Sequence, residues 1–215
     1  DLMEYQYKNI ILNIIPTLIK QARVISGKYD VVITNPPYMG HRGMNDKLSN
    51  FLRENYEDSK TDFFAVFMEK CKGYTKSNGL YGLVTQPSWL FLSTFMRLRE
   101  KIINSNTIYS LLHMGRGIFG IDFGSTSFVV RNSKIEGYYG SYFRLHERVF
   151  QYIDSDDIRD IFLNSKRDQD FKFDFSKYIN NDIDLNTGSS EEEYIDETSN
   201  GNKEQKIYYK YCQDK

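Results

Sequence analysis

Tyr29-Asp30-Val31-Val32-Ile33-Thr34-Asn35-Pro36-Pro37-Tyr38-Met39-Gly40 is the stretch whose reading decides the fold. Its β-branched run, Val31-Val32-Ile33, is continuous rather than alternating, which predicts a parallel strand buried on both faces. Pro36 and Pro37 then forbid continuation. They fix φ, remove two amide donors and push Asn35 out of helical geometry, so that carbonyls and the Asn35 amide project from a stiff corner. Open α/β sheets bind their ligands at such carboxyl ends of strands.

The inventory of this corner narrows what it can do. Asn35 offers a side-chain carbonyl acceptor, Pro36 a backbone carbonyl acceptor and Tyr38 a flat aromatic face. That set suits a planar amino group such as the exocyclic amine of adenine, whose lone pair is delocalised into the ring and becomes more reactive when its hydrogens are held. A base inside a duplex cannot reach such a corner, so the nucleotide must be flipped out. Asn-Pro and Pro-Pro are also ordinary turn punctuation. A plain turn leaves the buried strand before it and the aromatic after it as coincidences.

Working outward, Leu80–Thr85 reads as a second strand, ended by Gln86-Pro87 as Asn35-Pro36 ends the first. A helix precedes it, capped by Ser59 to Asp62, with Phe63, Phe64, Phe67, Met68 and Cys71 on one face and a stop at Asn78-Gly79. Another helix opens at Ser93, with Phe95, Leu98, Ile102 and Ile103 inward, and the run Ile108–Leu112 is the next strand. This alternation predicts a parallel α/β sheet. Phe128–Val130 closes it as an antiparallel hairpin and Tyr138–Leu145 adds one strand more. Trp89, just past the second strand, reads as a plug for the domain's end. Gly115-Arg-Gly-Ile-Phe-Gly120 matches the dinucleotide fingerprint in letters only, because a strand follows it where the fingerprint needs a helix.

Residues 3–26 have helical periodicity with an apolar face fit for a core, interrupted at Pro16 and stopped at Gly27. Beyond the sheet, residues 154–164 predict a short helix with Ile158, Ile161 and Phe162 inward, and Phe171, Phe173 and Phe175 alternate as in a strand. Residues 186–206 are acidic and poor in apolar side chains, as disordered loops are. In the polar loop after Tyr38, Arg42 is a candidate phosphate contact and Lys47 a solvated cation. His41 is not needed as a base, because a neutral amine can attack first and lose its proton afterwards.

These strings resemble those of the adenine-specific DNA methyltransferases that use S-adenosylmethionine. The match of Tyr29 to Gly40, Gln86-Pro-Ser-Trp-Leu90, Gly115 to Gly120 and Phe143-Arg-Leu-His146 is to the methyltransferases of bacteriophage-exclusion (BREX) defence systems, over roughly residues 20 to 175. The resemblance implies that Asn35, Pro36, Pro37 and Tyr38 form the catalytic corner, and that Phe119 faces Tyr38 as a second wall around the flipped base; an apolar anchor between two strands is the equal alternative for Phe119. It implies double-stranded DNA as substrate and other phage-defence proteins as partners. The family's cofactor loop, an aromatic-x-Gly-x-Gly string, precedes the corner, yet the 34 residues ahead of Asn35 lack it. The cofactor-binding residues are therefore expected upstream of Asp1. The chain then reads as an internal fragment, the carboxyl-terminal half of a Rossmann-like class I methyltransferase sheet, inactive by itself. Its expected divisions are a helical connector (1–28), the catalytic half (29–150), and a connector with an acidic loop (151–215) leading to a target-recognition domain. Two other readings use the same residues: a protein-glutamine methyltransferase, and a non-catalytic DNA-recognition or assembly module.

Composition bounds these readings. With 40% hydrophobic and 27% charged residues and a formal net charge of -1, the 215-residue chain is of ordinary globular type. A near-neutral balance gives no support of its own to DNA binding. No apolar run approaches the roughly 18 residues of a membrane span and no signal peptide opens the chain, so the expected location is cytoplasmic. Cys71 and Cys212 lack the spacing of a zinc site or disulfide framework, and no metal is expected; Cys71 falls on an apolar helix face as packing.

Overall fold

The computed structural model describes residues 7–116, 118–119, 124–147, 152–168 and 170–178; the acidic stretch 186–206 and Cys212 lie outside them. Five strands form one sheet: β1 (Tyr29–Thr34), β2 (Thr75–Thr85), β3 (Thr107–Gly115), β4 (Ser125–Arg131) and β5 (Ser141–Arg144), in the spatial order β1-β2-β4-β3-β5. β1 runs parallel to β2, with Val32 opposite Tyr81. β4 is antiparallel to both its neighbours, placing Phe128 beside Leu83 and Leu111, and β5 is parallel to β3. The carboxyl ends of β1, β2, β3 and β5 therefore share one edge with the start of β4. The sheet is mixed, because the expected antiparallel strand inserts between β2 and β3 instead of following at the side.

The helices are α1 (Ile15–Ser26), α2 (Asp46–Asn55), α3 (Phe63–Tyr74), α4 (Met96–Ser105) and α5 (Ser155–Arg167). α3 begins where the Asp62 carboxylate accepts the Phe64 amide, and Phe64, Ala65, Met68 and Cys71 turn inward. They join Tyr81, Leu83, Leu98, Ile102, Leu111, Phe128 and Val130 in one core. Burying a side chain of this size contributes about 1.5 to 3 kcal/mol, so α3, α4 and the central strands hold one another in place. A second cluster, around Met114, Leu145, Ile153, Ile158, Ile161 and Tyr178, fastens α5 to the far side of the sheet.

Several expectations change. Among the described residues β1 is an edge strand not buried on both faces, with Val31 55% and Ile33 79% exposed, and only Val32 of that run packs against the core. The leading helix does not break before Pro16: the chain stays helical through a π-helical turn (Ile10–Ile14) into α1, with Pro16 in the first turn of α1 as expected, and no residue of that turn or of α1 is buried. α3 stops at Tyr74, short of Asn78-Gly79. There the Thr75 hydroxyl donates to the Cys71 carbonyl and the chain turns straight into β2, where Asn78 takes φ 67°. Ile103 points outward, being one residue off the face that buries Leu98 and Ile102. Phe171, Phe173 and Phe175 form no strand; the Phe173 and Phe175 rings meet edge-on and pack on the second cluster.

Candidate active site

Asn35 follows the last residue of β1. Its side chain is exposed, and among the described residues nothing hydrogen-bonds its amide. Pro36 is buried and Pro37 exposed, so the corner is anchored on one side and open on the other. Tyr38 is half-buried. Its ring stands edge-on to Phe64 at 6.3 Å, while its hydroxyl is buried without a hydrogen-bond partner, and that burial raises the phenol above its ordinary range. Packing, not hydrogen bonding, sets the ring's pose.

The chain beyond Tyr38 is stitched to the start of α3. Phe63 donates its amide to the Met39 carbonyl (3.0 Å), His41 donates to the Thr61 carbonyl (3.1 Å), and Gly40 forms an isolated antiparallel bridge with Asp62. A 3-10 turn (His41–Gly43) follows. It forms one wall of a cleft of about 360 Å³ whose lining includes Arg42, Asp62, Gln86, Ser88 and Thr94. Arg42 thus stands at the cleft beside the corner, where a phosphate contact was expected.

β2 ends in a second rigid corner on the same edge. Trp89 donates its indole N–H to the Thr85 hydroxyl (3.0 Å) and packs on Phe128, while Arg99 donates to the Trp89 and Leu92 carbonyls. Trp89 is the plug that was expected. Arg99 is a member that sequence reasoning missed, since nothing in its helical surroundings announces a contact to a distant turn.

Phe119 lies past the end of β3, which is three strand spacings from β1, or about 14 Å. Gly124, just before β4, lies against the end of β2, for a Cβ on it would come within 3.1 Å of Pro87. Phe119 itself is 49% exposed. The structure brings it to the same edge as Tyr38 but not into ring contact with it. Also on this edge, His113 and His146 pack edge to face at 4.2 Å, and burial, with His146 and Arg144 close by, holds His113 neutral well below its usual range.

What the described residues do not supply is a complete cofactor site. The outer side of β1 carries no partner strand among them, and no glycine turn or ribose-binding carboxylate faces the corner from that side. The described residues at the corner offer hydrogen-bond acceptors, the Asn35 Oδ1 and the Pro36 carbonyl, without a glycine turn beside them. Among the described residues, no cluster of three or more His, Cys, Asp or Glu could hold a metal, and no helix is long and apolar enough to cross a membrane.

Comparison with known proteins fits this geometry. The family model of the Eco57I restriction-modification methylase matches residues 4–119. The chain is 41% identical over 132 residues to the adenine-specific methyltransferase PglX of Lacticaseibacillus casei (strain Zhang), covering 60% of this chain and 11% of that protein. It is 36% identical over 146 residues to the adenine-specific methyltransferase BrxX of Escherichia coli O9:H4 (strain HS), covering 66% and 12%. The chain thus spans about a tenth of the length of these relatives. Among solved structures, a DrdV–DNA complex aligns with TM-score 0.52 at 17% identity, over 73% of this chain and 18% of that one. A nuclease-deletion mutant of the Type ISP restriction-modification enzyme LlaGI, in complex with a DNA substrate mimic, aligns with TM-score 0.50 at 16% identity, over the same shares. At these identities the likeness is one of fold.

Proposed function

Because the chain belongs to the Eco57I restriction-modification methylase family, we propose that it carries the amine-holding part of a site that transfers a methyl group from S-adenosylmethionine to the exocyclic amine of adenine in DNA. The observation that carries this reading is the Asn35 amide, exposed and unheld on a corner whose backbone is otherwise fixed by two prolines and by α3. An amide left free there is available to a ligand.

Asn35 Oδ1 and the Pro36 carbonyl each accept one hydrogen of the amine, which localises the lone pair on nitrogen and aims it. Tyr38 stacks on the flipped ring, Phe119 closes the other face, and Arg42 meets a backbone phosphate. Pro37 keeps the turn stiff. No base is required, because the nitrogen attacks neutral and sheds its proton to water afterwards. Catalysis by these residues is positioning and electrostatic complementarity. The methyl donor is held by residues other than those described. On this reading double-stranded DNA is the substrate in a cytoplasmic restriction-modification or phage-defence system, together with other defence proteins. Residues 1–28 connect into the catalytic half at 29–150, and 151–215 lead on toward target recognition.

The test is single-turnover methylation of an adenine-containing duplex by the full-length protein. Asn35→Ala deletes one preorganised acceptor and should slow turnover on the order of a hundredfold or more. Asn35→Asp should retain more, because a negative acceptor also stabilises the positive charge that builds on nitrogen. Wild-type rates from Asn35→Ala would hand the corner to the non-catalytic reading.

A further inference from the structure

The two helices that cover the central strands do not close over them completely. Met68 and Lys72 lie one turn apart on α3, Leu98 and Ile102 one turn apart on α4, and these two rows line a cavity of about 260 Å³. Tyr81 of β2 lines it from the sheet. Lys72 stands toward the amino-terminal edge of the sheet. Its ammonium donates to the hydroxyl of Ser105, the last residue of α4 (2.7 Å), and Asn132, just past β4, donates to its carbonyl (3.4 Å). The corner at Asn35 belongs to the opposite edge.

Two polar groups of this cavity have more capacity than the protein fills. Tyr81 is 1% exposed, and among the described residues its hydroxyl has no hydrogen-bond partner. Side chains of a strand stand roughly perpendicular to the sheet, so the hydroxyl is the end of Tyr81 that reaches up between the helices. Burial pushes the phenol well above its ordinary range, which keeps it a donor. Lys72 is half-buried, and Ser105 engages only one of its three N–H groups. The other cation lining the cavity is already held: Lys101 pairs with Asp58 and lies 4.0 Å from Glu69 Oε2, while Glu69 Oε1 accepts from the Ser59 hydroxyl (2.6 Å). No carboxylate among the described residues comes within ion-pair distance of Lys72.

We propose that this cavity is a ligand site for a small organic acid with an apolar body: the carboxylate on Lys72, the body between Met68, Leu98 and Ile102, and a polar group at its far end on the Tyr81 hydroxyl. Size sets the class. Ligand pockets for drug-sized molecules begin at about 300 Å³, so the occupant is a single ring or a short branched chain. Met68, unbranched and flexible, adapts to the shape that enters. An anionic head matches the two ammonium donors that Ser105 leaves open, and it opposes the burial and the nearby Lys101 that together lower the Lys72 pKa. A wholly apolar guest would leave the Tyr81 donor buried and unpaired, which is costly. The site is independent of the methyl-transfer reading, and its test involves no methyl transfer.

Para-hydroxybenzoate has the required outline and serves as the probe; benzoate lacks the far hydroxyl and acetate lacks the body. Calorimetric titration of the full-length protein should give saturable binding of para-hydroxybenzoate, several-fold weaker binding of benzoate and none of acetate. Lys72→Met keeps the stem but removes the charge, and should weaken both aromatic acids by about tenfold or more. Lys72→Gln, which retains a donor for Ser105, should do the same. Tyr81→Phe should melt no lower than wild type, since the hydroxyl it removes is unpaired, and should bind the two aromatic acids equally. Absence of saturable binding at millimolar para-hydroxybenzoate overturns the site. So does binding that neither Lys72 variant weakens, or acetate bound as tightly as the aromatic acids. Equal affinity of wild type for the two aromatic acids overturns the contact to Tyr81.

Discussion

Tyr38 and Phe119 were paired by motif, but the structure separates them in kind. Tyr38 is half-buried with its ring edge-on to Phe64, whereas Phe119 stands half-exposed on a turn and touches no ring among the described residues. In the full-length enzyme Tyr38→Ala should lose base stacking of about 1 to 3 kcal/mol, weakening transfer with cofactor affinity nearly unchanged. Phe119→Ala should do the same with no change in melting temperature, since an exposed side chain has little packing to lose. A fall in melting temperature with activity per folded molecule intact would make Phe119 an anchor, not a wall. Cys71 offers a check that needs no substrate. Burial lifts its thiol to about 11, so a thiol reagent at pH 8 should not modify Cys71 in the folded chain and should modify it on unfolding. At this scale the stiff, open corner past β1 was legible, because Asn-Pro-Pro dictates its own local geometry, with Asn35 and Pro37 exposed and Pro36 buried.

Elements were legible wherever local chemistry decides them. Trp89 as a plug, the capping of α3 by Asp62, Pro16 in the first turn of α1 and the strand after Thr107 all follow from neighbours in sequence. Strand order was not, since Ser125–Arg131 reads the same whether it lies outside β3 or between β3 and β2. The end of α3 was missed for a similar reason. Asn78-Gly79 looks like a helix stop, yet these residues serve the pairing of β1 with β2: Gly79 lies so close to β1 that a Cβ would come within 2.7 Å of the Asp30 carbonyl. Backbone cannot yield as a flexible side chain would. Gly79→Ala should therefore lower stability by about 1 to 3 kcal/mol, the usual range for forcing a group into a filled space. Denaturant unfolding measures it, and a midpoint equal to wild type would mean that β1 is free to move away from β2. Such freedom would loosen the corner that β1 carries.

On the scale of the whole molecule, apolar surface is distributed unevenly. Leu98, Phe128 and Tyr81 are sealed in the centre, while Ile33 and Val31 on β1 and Ile11, Leu18 and Ile25 in the leading helix stand open. An unpaired strand edge with exposed apolar side chains is a surface that pairs when it can. It is also the side from which nothing described reaches the corner to hold a methyl donor. The two facts make one prediction about residues 1–215 studied by themselves. They should bind S-adenosylmethionine only weakly and show no turnover, and sedimentation should show association that increases with protein concentration. Replacing Ile33 by Lys places a charge on the open edge and should reduce that association without altering the melting temperature, because a side chain this exposed contributes little to the core. Calorimetric titration settles the first half: micromolar affinity for S-adenosylmethionine would mean that these residues build a cofactor cradle after all. The second half fails if Ile33→Lys associates as readily as wild type, for then the contact surface lies elsewhere than along β1.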